Sequence, residues 1–399
     1  MMNFTLERST RADVVATAPG RSRQAAPLLR SNFMGGFECS TQRRMDGRRL
    51  DVLSSSGHAV TFREDYAALR RHGVATARDG LRWHLIETTP GQYDWSSLEP
   101  MLRAAREHGI QVIWDLCHYG WPDDIDIWSA DFVDRFSRFA AAAARVVASH
   151  TDGAPFFCPI NEISFWAWAG GEVARFAPGA TGRGDMLKCQ LVRASAAAIK
   201  AIRRVCPDAR FIHAEPAIHV DPGSHGDPAE AEIYRSAQFE ALDMMAGLIR
   251  PELGGNADCL DIVGVNFYPD NQWFMGGNTI PLGHHAYRPF RAMLSEIYER
   301  YRRPLIVSET GAEGGGRPAW LHYVCQEVRA ARKAGIPVEA ICIYPILDYP
   351  GWDNERVCEV GLFSAPDFQG RRSVDPDFAE ELARWQLRLS EKRFEREGH

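Results

Sequence analysis

The chain has 399 residues, 45% of them hydrophobic and 25% charged, with a formal net charge of −6. That is ordinary globular composition, with enough chain for one large core or two medium ones. It excludes the basic face that nucleic acid requires, and no apolar run approaches the roughly 20 residues needed to span a bilayer.

Residues 1–30 are polar and lack the apolar stretch of a secretory signal, so they are expected to form a flexible tail, and a cytoplasmic location is expected. From there one pattern recurs. In "YAALRRHGVATARDGLRW", "LRAAREHGIQVIWDLCHYG" and "VRAARKAGIPVEAICIYPI", an Ala- and Arg-rich amphipathic stretch stops at Gly73, Gly109 or Gly335 and an apolar run follows at once. Glycine suits the left-handed residue that closes a helix, and repeated helix-then-strand units call for a parallel sheet with helical crossovers. Strands are expected near 32–37, 74–79, 110–116, 155–160, 210–214, 261–267, 304–308 and 338–344. Helices are expected near 63–72, 97–108, 131–149, 186–205, 229–248, 288–302, 318–334 and 376–392. Eight such units over residues 31–392 predict an α/β fold, a single-domain (β/α)8 TIM barrel, with 393–399 as a C-terminal tail. The competing doubly wound sheet would carry a GxGxxG loop after its first strand. "NFMGGFECSTQ" has Gly35-Gly36 but no such loop. Nine cysteines without a CxxC pair read as buried reduced thiols.

Two strand ends carry unusual charge. "CPINEISFW" (158–166) ends an apolar run in Asn161-Glu162, and "RPLIVSETGAEGGG" (303–316) ends one in Ser308-Glu309. A carboxylate is costly to bury without a partner. In a barrel of this type the C-terminal strand ends form the active site, so both acids would point into one cleft. Two facing carboxylates divide the work of glycosidic cleavage: at about 5–5.5 Å apart, one is nucleophile and the other acid/base. Asn161 could hydrogen-bond the hydroxyl beside the reacting carbon.

At these residues the chain resembles the retaining β-glycosidase superclan of (β/α)8 glycoside hydrolases, and most of all family 1, the β-glucosidase family. "FCPINEI" is similar to that family's TFNEP motif, with Ile163 for proline, and implies Glu162 as acid/base. "LIVSETG" is similar to ITENG and implies Glu309 as nucleophile. "ARDGLRW" resembles YRFSISW, which sets Arg78 beside the nucleophile to keep it ionised. "LCHYGWP" resembles LHHWDLP and implies His118 as a sugar ligand. "FECSTQ" resembles the first-strand segment whose glutamine binds the sugar, here Gln42. "VGVNFYP" resembles GINYYT and places Tyr268 near Glu309. "YPILDYPGW" resembles WSLLDNFEW, implying substrate contacts for Tyr344 and Trp352.

The departures bear on specificity. The family's acid in the last motif, which holds the outer sugar hydroxyls, is Gly351 here, and its asparagine is Tyr349. Asp79-Gly80 replaces Phe-Ser on the second strand, a change with no account at the level of sequence. Arg43, Arg44, Arg48 and Arg49 on the first loop could draw an anionic sugar, though a solvated charged loop is the simpler reading. "GAEGGGRP" fits a flexible loop better than a phosphate nest. His213, His219 and His284-His285 lack metal-ligand spacing, so neither metal nor cofactor is expected. The expected partner is a carbohydrate or glycoside, with no nucleic acid and no membrane; homo-oligomerisation stays open. The rivals are an endo-acting glycanase, a transglycosylase, and a sugar-binding barrel without turnover.

Overall fold

The computed structural model describes residues 28–395. The tail expected over 1–30 therefore lies almost wholly outside the described residues, as do 396–399; the last helix runs on to Glu395. Eight strands form a closed barrel: β1 (Phe33–Gly36), β2 (Thr76–Gly80), β3 (Gln111–Asp115), β4 (Phe156–Cys158), β5 (Arg210–Pro216), β6 (Ile262–Asn266), β7 (Leu305–Thr310) and β8 (Val338–Ile343). Every pairing is parallel between sequence neighbours, and β1 closes on β8 through Phe33 with Ile341 and Gly35 with Ile343. This is the (β/α)8 barrel that the helix–glycine–strand repeat implies.

The helices lie where the amphipathic stretches fall, among them α1 (His58–Arg71), α2 (Glu99–Glu107), α3 (Ala130–His150) and α4 (Gly184–Val205). One expectation fails. The helix foreseen over 229–248 is broken into Pro228–Ser236, a 3-10 turn at Ala237–Phe239, and Glu240–Met245. Gln238 in that turn bonds both the N–H and the carbonyl of Ile218, a tertiary tie that no local pattern announces.

Strand alternation divides the core in two. Met34, Ile113, Phe156, Ile212, Ile262, Ile306 and Ala340 pack as a small cluster inside the barrel. Their strand neighbours, such as Ala77, Trp114, Phe157, Val263 and Val307, face the helices in the larger core. This parity sends Arg78, Asp115 and Asn266 inward and Asp79 and Glu215 outward.

Two local devices shape the barrel mouth. On β7, parity with Leu305 and Val307 would turn Glu309 outward. The β6–β7 register, however, shifts from Val265 with Val307 to Asn266 with Glu309, skipping one residue. Such a bulge re-aims a side chain, here into the mouth. On β1, a Cβ at Gly36 would meet the Tyr344 ring at 2.1 Å, so only glycine lets that ring lie inside.

Candidate active site

The mouth opens into a cavity of about 1170 Å³ lined by Glu38, His118, Tyr119, Glu162, Tyr268, Glu309, Tyr344, Tyr349 and Trp352, among others. Glu162 follows β4 in a left-handed conformation, φ 43° and ψ 63°. That costs a non-glycine residue about 1–3 kcal/mol and persists only where surroundings enforce it. The Glu162 N–H donates to Ala214 (3.0 Å), and the Ser164 N–H donates to the buried Glu215 (3.1 Å). Burial pushes the Glu215 carboxyl up to about 8, with the Ser164 contacts opposing and the Glu162 charge adding. The Glu162 carboxylate accepts from Asn266 Nδ2 (2.9 Å) and from the Tyr119 hydroxyl (2.6 Å).

Glu309 has a different pair of donors: Arg78 Nη1 at 2.7 Å and the Tyr268 hydroxyl at 2.9 Å. Arg78 is buried, and Asp115 holds it through Nε (2.9 Å) and Nη2 (2.7 Å). Arg78 Nη2 also donates to Asn161 Oδ1 (2.6 Å), which fixes the amide's orientation. Burial pushes the Glu309 carboxyl up to about 7; Arg78 pulls it down and the neighbouring Glu162 charge pushes it further up. The guanidinium thus opposes the effect of burial on Glu309 without cancelling it. Burial, then the charges of the two acids, pushes the Tyr119 and Tyr268 phenols well above their ordinary range, so both act as donors at neutral pH.

Asn161 Nδ2 donates to the Tyr119 oxygen (2.9 Å) and lies 3.0 Å from His118 Nε2. His118 Nδ1 meets Asp115 Oδ2 at 3.0 Å. Burial works against the imidazolium, but the Asp115 bond and the Glu38 charge win, and the His118 pKa is raised.

Of the residues singled out in the sequence, Glu162, Glu309, Tyr268, His118, Tyr344 and Trp352 line the cavity. Asn161 and Arg78 stand directly behind them in hydrogen-bond contact. Gln42 does not line it: the residue is buried, and its Oε1 finds no partner among the described residues. Asp115, Tyr119, Asn266 and Glu38 were missed. Parity from Met34 through Gly36 would have flagged Glu38 as an inward acid, and parity from Ile262 would have turned Asn266 inward; Tyr119, past the end of β3, carries no such mark.

The other motifs are absorbed structurally. Arg43 and Arg49 pair with Asp123, Arg44 with Asp46, and Arg48 with Glu355. Gly314–Gly316 form a 3-10 turn whose Arg317 bonds Asp375 and the Gly361 carbonyl. His213 Nε2 is taken by the Cys259 carbonyl. Among the described residues, one cluster has the compactness of a metal site, Cys39–Asp115–His118, but Asp115 is already committed to Arg78. No helix among the described residues is long and apolar enough to cross a membrane.

No family model matches the chain, and no curated protein matches it. Solved structures do. The AHE enzyme from Alicyclobacillus herbarius superposes with a TM-score of 0.73 at 17% identity, over 92% of this chain and 100% of its own. The β-glycosidase of the hyperthermophile Thermosphaera aggregans gives 0.72 at 17%, over 91% and 97%. A family 1 β-glucosidase from Thermotoga maritima gives 0.71 at 15%, over 90% and 98%. The chain therefore has a (β/α)8 barrel fold resembling that of the family 1 β-glucosidases.

Proposed function

We propose that the chain is a β-glycosidase working with retention by double displacement. The observation that carries this reading is the asymmetry of the two carboxylates. Both open into one cavity, but only Glu309 touches a permanent cation, Arg78, while Glu162 is held by neutral donors, Asn266 and Tyr119. A fixed cation favours the anionic form, which a nucleophile needs; neutral donors leave an acid free to carry a proton.

A Glu309 oxygen attacks the anomeric carbon, and the bond to the leaving oxygen breaks. That oxygen takes its proton from Glu162. Glu162, now ionised, removes a proton from water as the water attacks the same carbon, and Glu309 is released. A sugar at the site shields Glu309 from like-charge contact once Glu162 is protonated, which lowers the cost of ionising it. On this reading Asn161, oriented by Arg78, would give the adjacent hydroxyl the amide N–H that it now turns toward Tyr119. His118, Tyr344 and Trp352 supply sugar contacts. The two carboxylates fill both chemical roles, so no cofactor is required. The size of the cavity favours a substrate longer than one sugar ring, which keeps endo action as the second reading.

The test is a panel of aryl β-glycosides with wild type and Glu309→Gln, plus NMR of the first-formed anomer. Release with retained configuration, falling at least about 1000-fold in the variant, is expected. An inverted product, or unchanged release by Glu309→Gln, sinks the assignment.

A further inference from the structure

The last-strand motif of the β-glucosidase family has an acid where this chain has Gly351. A Cβ at Gly351 would lie 3.2 Å from Cys358 Sγ, because the short hairpin pairing Tyr349–Pro350 with Val357–Cys358 closes over it. That place holds no anchoring side chain, and the hairpin fills it.

A different acid stands across the mouth. Glu38, just past β1, is 7% exposed and lines the cavity. Its Oε1 accepts from the Ser40 N–H (3.0 Å) and from the Ser40 hydroxyl. Its Oε2 receives no donor among the described residues. Two unpartnered polar atoms share the same cavity. Tyr344 is 1% exposed and its hydroxyl finds no partner; Trp352 Nε1 is buried and equally unpaired. Burial and then the Glu38 charge push the Tyr344 phenol well above its ordinary range, which keeps the phenol a donor. Buried polar groups are ordinarily satisfied, so unpaired ones facing a cavity mark where ligand atoms belong.

The surrounding charge narrows the ligand. Eight Asp and Glu residues line the cavity against three Lys and Arg. Those three are taken: Arg175 by Asp353, Lys188 by Glu240 and Arg356 by Glu313. Among the described residues no Lys or Arg lining the cavity is left free for a carboxylate or phosphate on the sugar, and His118 is held by Asp115.

From this we infer that Glu38 is the glycone-specificity residue. It accepts hydrogen bonds from the sugar's outer hydroxyls, the Tyr344 hydroxyl and Trp352 N–H complete the grip, and the site takes neutral polyhydroxylated glycones while rejecting anionic ones. The anchoring carboxylate has moved from the segment after β8 to the end of β1. This rests on reading the cavity as a glycosidase site.

The experiment compares aryl β-glucoside, galactoside, fucoside, xyloside and mannoside with the glucuronide and 6-phosphoglucoside. Wild type, Glu38→Gln and Tyr344→Phe are each measured by turnover. The same glycosides are titrated calorimetrically into Glu309→Gln and into Glu309→Gln carrying Glu38→Gln, which needs no turnover. A neutral-over-anionic preference of at least about 100-fold in wild type is expected, since a like charge set against Glu38 is strongly disfavoured. Glu38→Gln should narrow that ratio about 10-fold and weaken the best neutral glycoside by about 10-fold. Tyr344→Phe removes only an unpaired hydroxyl, so it should fold normally and cost the neutral glycosides about 5-fold. An anionic glycone as best substrate, or a preference that ignores Glu38 in both assays, overturns the inference while the glycosidase reading stands. Binding that depends on Glu38 without any cleavage overturns the glycosidase reading and leaves the subsite intact. No turnover and no binding across the panel overturns both.

Discussion

Arg78 and Asp79 are consecutive residues of β2, and each organises a buried charge network on its own side of the strand. Inward, Arg78 joins Asp115, Asn161 and Glu309. Outward, Asp79 accepts from His58 Nε2 (2.9 Å) and the Tyr66 hydroxyl (2.7 Å); His58 Nδ1 meets Asp65 (2.8 Å), and Arg372 closes the set on Asp65 (2.7 Å). This outer network explains Asp79, and Gly80 follows from space, since a Cβ there would meet Cys39 at 2.5 Å. The two networks differ in closure. Outside, each charge is answered by protein. Inside, the chain of contacts ends at the cavity, on two carboxylates and on the unpaired Tyr344 and Trp352 atoms. A closed network ties α1 to the barrel; an open one leaves polar atoms unpaired at the cavity.

The largest effect tests the open side. Arg78→Ala leaves Asp115 and Glu309 buried without their cation, which should cost about 3–5 kcal/mol of stability. Glu309, no longer restrained, should be driven further toward its protonated form, so turnover of the protein that does fold should fall at least about 100-fold near pH 7. If the folded fraction turns over normally, Arg78 is only a strut and the contrast between the networks fails. Next comes the closed side. Asp79→Asn removes one of the two acids facing the His58 imidazole and should cost about 3 kcal/mol in urea unfolding. Turnover per folded molecule should stay within about 3-fold, because the outer network touches no cavity group. A fall in kcat beyond that would show the two sides of β2 to be coupled.

The sequence disclosed the barrel because its signals are local: a glycine stop followed at once by an apolar run, seen plainly at Gly73, Gly109 and Gly335, set the helix-then-strand rhythm for the rest. It disclosed Glu162 and Glu309 because a carboxylate at the end of an apolar run is conspicuous. What stayed hidden depends on other strands. Alternation along β7 alone points Glu309 at the helices, and only the register shift against β6 turns it inward. Asn266 and Tyr119 earn their place by meeting Glu162, 104 and 43 residues away. Glu38 was within reach, since it shares the parity of Met34 and lies inside FECSTQ, but the resemblance gave that segment's sugar contact to Gln42. Gln42 shows the converse: motif resemblance put it among the sugar contacts, and the fold buries it without a place in the cavity lining.

The smallest effect concerns Glu215, the outward acid beneath the strained Glu162 turn. Below its ordinary value of 4.5, folded and unfolded chains both carry its proton. Above that, the unfolded chain releases the proton while the folded one keeps it up to about 8, so stability falls as pH rises through this window. His58 adds a slope of the same sign later. Burial opposes its charge, but Asp79 and Asp65 hold it up to about 9, so its contribution is complete below 6.5 and is lost as pH rises through 9. The interval from about pH 5 to 6.5 therefore isolates Glu215 from His58. Glu309 also titrates there, so the quantity to follow is the difference between variant and wild type. Glu215→Gln keeps an oxygen for the Ser164 N–H but has no proton to lose. Its stability relative to wild type should rise by about 2 kcal/mol from pH 5 to 6.5, at about 1.4 kcal/mol per pH unit. Turnover should change by less than about 3-fold, since the turn beneath Glu162 keeps its acceptor. A flat difference would mean that Glu215 is ionised in the folded protein. The Ser164 N–H would then be holding a buried charge, and the Glu162 turn would stand on an ionic support like the one Arg78 gives Glu309.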